Sequence, residues 1–231
     1  MTKISIIIPV YNEANSIGKL IDHLNEKSSD TCIEEIIVVD GSSTDNTTEV
    51  LASFPDIVVL QSAKGRAIQM NIGASMAKGD ILYFLHADSF PPNNYDALIK
   101  AKINDNYKAG CFRMKFDSDH WWLKLSGWFT QFNWKFCRGG DQSLFVTKQL
   151  FNDLEGFDEN YIIYEDNAFI KKLYKHTEFA VINKPIITSA RRYKKHGVWT
   201  LQKHYWTIHL KHFFGASASD LHQFYKKKIA N

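Results

Sequence analysis

Two side chains that can hold a metal ion or a phosphate follow an uninterrupted apolar run in the middle of the chain. Residues 81–85 are all apolar, and His86 and Asp88 come directly after them. Such a run is typical of a strand buried on both faces, and ligands of open α/β sheets bind beyond the carboxyl ends of these strands. A carboxylate there can hold a hard divalent cation that bridges a diphosphate. The alternative is an ordinary turn, because Asp and the nearby Pro91 both favour turns.

Polar groups of the same kind follow three other predicted strands, in residues 11–13, 40–45 and 62–66. Asp40 could accept a hydrogen bond from a ribose hydroxyl or a base N–H, and the forked guanidinium of Arg66 suits a phosphate. The carboxyl ends of parallel strands meet at one edge of a sheet, so we expect these groups to converge.

An acid pair, Glu165 and Asp166, lies much farther along the chain. This pair could supply a general base for a hydroxyl nucleophile. The alternative is structural, because acidic residues are also favoured in the first turn of a helix.

Several other classes of protein lose support. The chain has neither a GxGxxG nor a GxxxxGK[ST] motif, which disfavours a dinucleotide fold and a P-loop NTPase, and no serine stands in a GxSxG elbow. The histidines lack zinc spacing. The net charge of +3 is too small to argue for nucleic acid. The three cysteines form no CxxC pair, and the chain has neither a signal-peptide pattern nor an apolar run that could span a membrane. We therefore expect a cytoplasmic protein.

Strand and helix patterns alternate through the first half of the 231 residues. This alternation predicts an α/β fold with a Rossmann-like, mostly parallel sheet flanked by helices. We expect one catalytic domain over 1–184, with a nucleotide half at about 1–109 and an acceptor half at about 110–184. A basic and aromatic helical tail is predicted over 185–231.

Two segments are unusually aromatic. The aromatic residues of 121–136 favour a helix packed at the edge of the sheet. The alternative is an aromatic surface that faces an acceptor or a membrane. Residues 198–214 predict a tail helix, in which Trp199, Trp206 and Leu210 share one sector. That helix could pack on its own domain or on a twin subunit, or it could lie at the inner face of a membrane as a peripheral contact.

Six motifs together resemble family 2 glycosyltransferases with the GT-A fold. They are 5–13 (SIIIPVYNE), 38–45 (VVDGSSTD), 65–74 (GRAIQMNIGA), 86–88 (HAD), 140–142 (GDQ) and 165–166 (ED). The tail motif TSARR at 188–192, with GVW at 197–199, is similar to a bacterial subgroup of these enzymes. The resemblance covers nearly the whole chain.

The resemblance implies an inverting, hexosyltransferase-type enzyme that moves a sugar from a UDP- or GDP-linked donor to a hydroxyl acceptor, lipid-linked or not. Asp88 would be the metal-binding acid for Mn²⁺ or Mg²⁺, and Asp166 would be the general base, with Glu165 beside it. Asp141 and Gln142 would contact the acceptor. The implied nucleotide-sugar pocket contains Pro9, Tyr11, Glu13, Asp40, Ser42, Arg66, Asn71, His86, Ala87 and Asp88.

The sequence departs from the family pattern at two places. His86 replaces the usual first acid of the metal motif, so it either ligates Mn²⁺ or contacts phosphate or sugar. The QxxRW motif of processive members is absent, which favours one sugar per event. Arg191 and Arg192 either replace its phosphate contact or form a solvated basic edge. Two other functions stay open: a nucleotide-sugar-binding module that has lost catalysis, and a sugar nucleotidyltransferase.

Overall fold

The computed structural model describes residues 2–29 and 32–229, and these residues form a mixed sheet of eight strands with helices on both faces. The strands are β1 (Ile4–Val10), β2 (Ile33–Asp40), β3 (Val58–Gln61), β4 (Ile81–Phe84), β5 (Ser89–Phe90), β6 (Ala109–Phe116), β7 (Leu144–Thr147) and β8 (Phe179–Thr188). The helices are α1 (Ile17–Lys27), α2 (Thr47–Leu51), α3 (Arg66–Met76), α4 (Tyr95–Asn104), α5 (Trp121–Phe129), α6 (Lys148–Asp153), α7 (Glu165–His176), α8 (Arg191–His196), α9 (Val198–Phe213) and α10 (Ala218–Lys228).

The strand order is β3-β2-β1-β4-β7-β6-β8-β5. Strands β1 to β4 run parallel to one another, β6 runs parallel to β8, and β7 and β5 are antiparallel to their neighbours. The predicted α/β fold with a mostly parallel sheet is therefore confirmed. The loops after β1, β2 and β4 leave the sheet at the same edge, where ligands of such sheets bind.

Apolar side chains fill both faces of the sheet. Ile6 and Ile8 of β1 point into one core cluster with α1 and α4, and Ile7 points into a second cluster with α3 and α7. Burial on both faces explains why β1 and β4 read as continuous apolar runs. A Cβ on Gly73 would lie 2.5 Å from the Ile7 side chain, so this glycine lets α3 approach β1 closely.

The sequence patterns do not predict β5 or α6, whereas the predicted helical tail is confirmed and contains α8 and α10 as well as α9. Strand β8 runs past Pro185 to Thr188. The register between β6 and β8 shifts between Phe112 and Arg113, opposite this proline, and prolines are tolerated at such irregularities. The predicted domain boundary at 184/185 therefore falls inside β8.

The tail helices pack on the domain. Leu201 and Ile208 of α9 and Leu221 of α10 are buried in a cluster with Ile163 and Tyr164, which directly precede α7. In contrast, Trp199, Trp206, Leu210 and Phe213 of α9 are exposed. Within the described residues, no helix is both long enough and apolar enough to cross a membrane.

Candidate active site

The loops after β1 and β2 hold each other in place. The Asn12 amide oxygen accepts the backbone N–H of Thr44 at 2.8 Å, and the Asn12 backbone N–H donates to Ser43 Oγ at 2.9 Å. Asp40 is buried and accepts the Ser43 backbone N–H and hydroxyl. From helix α3, the Gln69 side-chain amide donates hydrogen bonds to the backbone carbonyls of Val10 and Val39. These bonds link the ends of β1 and β2 and their loops into one edge.

Arg191 joins the first loop to the metal motif. Its guanidinium donates two hydrogen bonds to the Glu13 carboxylate, and its Nε lies 3.2 Å from Asp88 Oδ2. Burial raises the pKa of Asp88 above its ordinary value, although the charges of His86 and Arg191 act against that rise. The arginine therefore serves as the counter-cation of two acids at the end of the sheet. Residues 188–192 (TSARR) bring it there from the end of β8.

His86 lies between two other carboxylates. Its Nδ1 is 3.6 Å from Asp141 Oδ1, and its Nε2 is 3.8 Å from Asp166 Oδ2. Burial lowers the pKa of His86, but the contact with Asp141 and the charge of Asp166 outweigh it, so the pKa lies above its usual value. Both ring nitrogens therefore face carboxylates.

The two members of the acid pair have different surroundings. The Glu165 side chain is fully buried and its Oε1 lies 2.6 Å from Arg66 Nε, whereas the Asp166 side chain is 10% exposed and reaches His86. Burial raises the pKa of Glu165 to about 7, against the opposing charge of Arg66. Tyr164 adopts a left-handed backbone with φ of 74° just before this pair, so the chain turns sharply into α7.

The tail supplies the far side of the site. Arg192 lies beside the phenol groups of Tyr205 and Tyr225. Burial acts to raise the pKa of Asp141, but the contact with His86 and the charges of His86, Arg192 and Arg66 outweigh it, so this pKa lies below its ordinary value. Tyr164 hydrogen-bonds His209 of α9 at 3.2 Å. The tail is therefore in contact with the residues around Asp141 and Tyr164.

Two predicted site residues are engaged elsewhere. The Asn71 side chain accepts a hydrogen bond from the Phe157 backbone N–H, and it donates to the Phe157 carbonyl and the Glu159 carboxylate. These bonds connect α3 to the loop before α7. Gln142 is buried, accepts from Arg138 at 2.6 Å and donates to the Cys137 carbonyl. Its neighbour Asp141 is 59% exposed and available to a ligand.

The remaining predicted residues lie along the edge of the sheet. Pro9 is in β1 opposite Val39, Ala87 is buried between His86 and Asp88, and Lys64 Nζ lies 3.5 Å above the Tyr11 ring. Ser42 donates to the Ser62 carbonyl from a left-handed backbone.

Sequence reasoning missed two supports of the site, Asn12 and Gln69. Gln69 could have been found from the sequence, since it is a polar residue on the buried face of a helix and needs buried partners. Nothing in the sequence indicates the role of Asn12, because its partners belong to another loop.

Comparison with known proteins gives one family. Residues 5–174 match the sequence profile described as Glycosyl transferase family 2. The undecaprenyl-phosphate 4-deoxy-4-formamido-L-arabinose transferase of Yersinia pestis is 37% identical over 106 residues, 42% of this chain and 32% of that protein. Glycosyltransferase AglE of Haloferax volcanii is 33% identical over 94 residues, 38% of this chain and 31% of that protein. The chain thus spans about a third of the length of these curated relatives.

Two solved structures share the fold. The mannosyltransferase PcManGT from Pyrobaculum calidifontis, in complex with GDP-Man and Mn²⁺, aligns with a TM-score of 0.70 at 17% identity, over 90% of this chain and 62% of that chain. S. aureus TarS in complex with UDP aligns with a TM-score of 0.65 at 21% identity, over 81% of this chain and 60% of that one. At such identities the likeness shows the fold alone.

Proposed function

The chain belongs to glycosyl transferase family 2, and from that premise we propose that it transfers one sugar from a nucleoside-diphosphate sugar to a hydroxyl acceptor, with inversion at the anomeric carbon. The observation that carries this proposal is the grouping of Asp88, His86 and Asp166 at the end of β4, beside the Glu13–Arg191 ion pair.

The donor would bind at the edge formed by the loops after β1 and β2. Asp40 and Glu13 offer carboxylate acceptors to the nucleoside, and Tyr11 lies at the same edge. Arg66, Arg191 and Arg192 supply positive charge for the diphosphate, which a forked guanidinium can bind at two oxygens. UDP and GDP are the two candidates, because relatives of this fold are named with UDP or GDP-Man.

Asp88 is the residue we propose as the protein ligand of Mn²⁺ or Mg²⁺. The described residues contain no group of three or more His, Cys, Asp or Glu side chains placed to hold a metal. Asp88 would therefore share the ion with diphosphate oxygens, a common arrangement for Mg²⁺ at phosphates. When bound, the ion would offset charge on the departing nucleoside diphosphate.

Asp166 is the proposed general base. It would take the proton of the acceptor hydroxyl as the oxygen attacks the anomeric carbon and the nucleoside diphosphate leaves. Glu165 is fully buried and held by Arg66, so it would act as a positioning residue. His86 would orient Asp166, and the exposed Asp141 would meet the acceptor.

The acceptor is proposed to be lipid-linked, since curated relatives are named as undecaprenyl-phosphate transferases. The division into a catalytic domain over 1–184 and a tail, the subgroup of the TSARR motif and the cytoplasmic location stay predictions.

Isothermal titration of UDP, GDP, UDP-GlcNAc and GDP-Man, with and without Mn²⁺, tests the donor site first. We expect one nucleoside diphosphate to bind, and Mn²⁺ to strengthen that binding. Release of the nucleotide from the matching sugar donor then tests transfer. Binding without turnover over a panel of acceptors would favour the binding module, and failure of every nucleotide to bind would remove both functions.

A further inference from the structure

Helix α5 and the loop that follows it expose a chain of aromatic rings. Trp121, Leu125 and Trp128 lie at helical spacing on the outer face of α5, and all three are exposed. From Trp128 the rings continue through Phe132 to Trp134 and Phe136, with centroid separations of 5.0, 4.8 and 5.5 Å. Phe136 is 80% exposed. Contiguous apolar surface of this kind marks an interaction site more often than scattered exposed residues do.

Helix α9 extends the same surface. Trp199, Trp206, Leu210 and Phe213 recur along its outer face, and Phe213 is 81% exposed. The ring of Trp199 lies 5.9 Å from that of Trp121, which joins the outer faces of the two helices. We call the exposed residues of α5, α9 and the loop through Phe136 the aromatic face.

The loop is held in a defined shape from inside. Arg138 is buried, and its guanidinium donates to the backbone carbonyls of Thr130 and Phe132 and to the Gln142 amide oxygen. Trp122 is tied to α9 through a 3.1 Å bond to Gln202. Buried hydrogen bonds of this kind fix the backbone, so the exposed rings are presented by an ordered surface.

The charged residues around the aromatic face indicate what kind of surface it binds. No aspartate or glutamate stands between Asp119 and Asp141, or between Glu178 and Asp220, whereas lysines and arginines recur in both segments. Lys203 is exposed on α9 four residues after Trp199, and Lys124 is exposed on α5, where it pairs with Asp119 at 2.8 Å. Tryptophan, phenylalanine and lysine on one surface suit the boundary of a bilayer that contains anionic lipids.

The same charge pattern disfavours a dimer through this face. In a twofold dimer the same patch meets itself, so the positive charge of this patch would be brought close to that of the second copy. Like charges brought together across an interface are unfavourable. An anionic lipid surface removes that repulsion and buries the rings.

We propose that the aromatic face binds the surface of an anionic lipid bilayer without crossing it. The inner side of α9 packs against Ile163 and Tyr164, which lead into Glu165 and Asp166. A helix is about 10 Å wide, so binding through the outer side of α9 brings the site close to the lipid headgroups. The inference gives the proposed lipid-linked acceptor a route to the site, but vesicle binding is independent of transfer.

The test is flotation of the full chain with vesicles of phosphatidylcholine alone or of phosphatidylcholine mixed with phosphatidylglycerol, whose headgroup is anionic and gives the vesicle a negative surface. No nucleotide or sugar is added, so the outcome does not depend on the proposed activity. We expect binding to the anionic vesicles, weaker binding to the neutral ones, and release by salt because screening weakens the attraction.

The double variant Phe136→Ser/Phe213→Ser should bind anionic vesicles at least about tenfold more weakly, since each exposed phenylalanine contributes buried apolar area. Met76→Ser is the matched control, because Met76 is exposed on α3 outside the aromatic face. Thermal unfolding checks that each variant is folded. Three results would overturn the proposal: no binding by the parent chain, equal binding by the double variant, or a dimer in light scattering that this variant dissociates.

Discussion

Replacement of Glu165 by glutamine should stabilise the fold, and the gain should grow with pH. The side chain is fully buried, burial raises its pKa to about 7, and Arg66 offsets that rise only in part. In the unfolded chain a glutamate titrates near pH ~4.3. Between these two values the folded state holds a proton that the unfolded state has released, so the stability of the parent falls as pH rises.

The size of the effect follows from the pKa difference. A difference of roughly 2.7 units, at about 1.4 kcal/mol for each unit, gives about 4 kcal/mol, lost between about pH 4.3 and pH 7. Glutamine has the same shape and does not titrate. The free energy of unfolding of Glu165→Gln should therefore rise relative to that of the parent by about 4 kcal/mol over this range and stay level above it.

Urea unfolding at half-unit pH steps from 4 to about 8.5 measures the difference, which cancels other titrating groups shared by both proteins. Glu178→Gln is the control, because Glu178 is exposed and its replacement should leave the curve unchanged. The same Glu165→Gln protein should lose turnover, since Arg66 loses its charged partner. A pH-independent difference, or a parent that gains stability between pH 5 and 7, would show that Glu165 is ionised throughout and would refute the reasoning.

Three further outcomes test the roles of single residues. Asp166→Asn should keep donor affinity in calorimetry while turnover falls by about 10²–10⁴-fold, and near-parent turnover would place the base elsewhere. Asp88→Ala should abolish the Mn²⁺-dependent part of UDP or GDP binding, whereas His86→Ala should weaken it less; the reverse order would make His86 the ligand. Arg191→Ala should bind Mn²⁺ alone up to about fivefold more tightly by electron paramagnetic resonance, because the half-buried ion pair with Asp88 is gone, yet it should bind the metal–nucleotide more weakly. Unchanged Mn²⁺ affinity would mean that the arginine does not compete for this acid.

Local pattern was enough to predict the first half of the fold. Strands β1 and β4 are buried on both faces, and strands of this kind have continuous apolar sequences that can be recognised without a structure. The convergence of Asp88 and Glu13 then follows from parallel topology. The same rules could not place Arg191, because its partners belong to distant loops and no periodicity links them.

The second half shows where such rules fail. Helix α9 carries two apolar stripes, and a helical wheel does not say which one faces the domain; the structure buries Leu201 and Ile208 and exposes Trp199 and Trp206. Gln142 belongs to a predicted acceptor motif, yet its amide is taken up by Arg138 and Cys137 inside the protein. Burial of a polar side chain depends on tertiary partners, which sequence spacing does not reveal.

The ion pair between Arg191 and Glu13 also bears on the order in which the protein folds. The two residues are 178 positions apart in sequence, so their contact closes a very long loop. Contacts of such separation cost chain entropy before they return any stabilisation, and they form late. The adjacent parallel strands β1, β2 and β3 need only local crossovers and can assemble while the chain is still emerging from the ribosome. The proposed binding surface for the diphosphate would then be complete only after α8 has been synthesised, long after β1, β2 and β3 can pair.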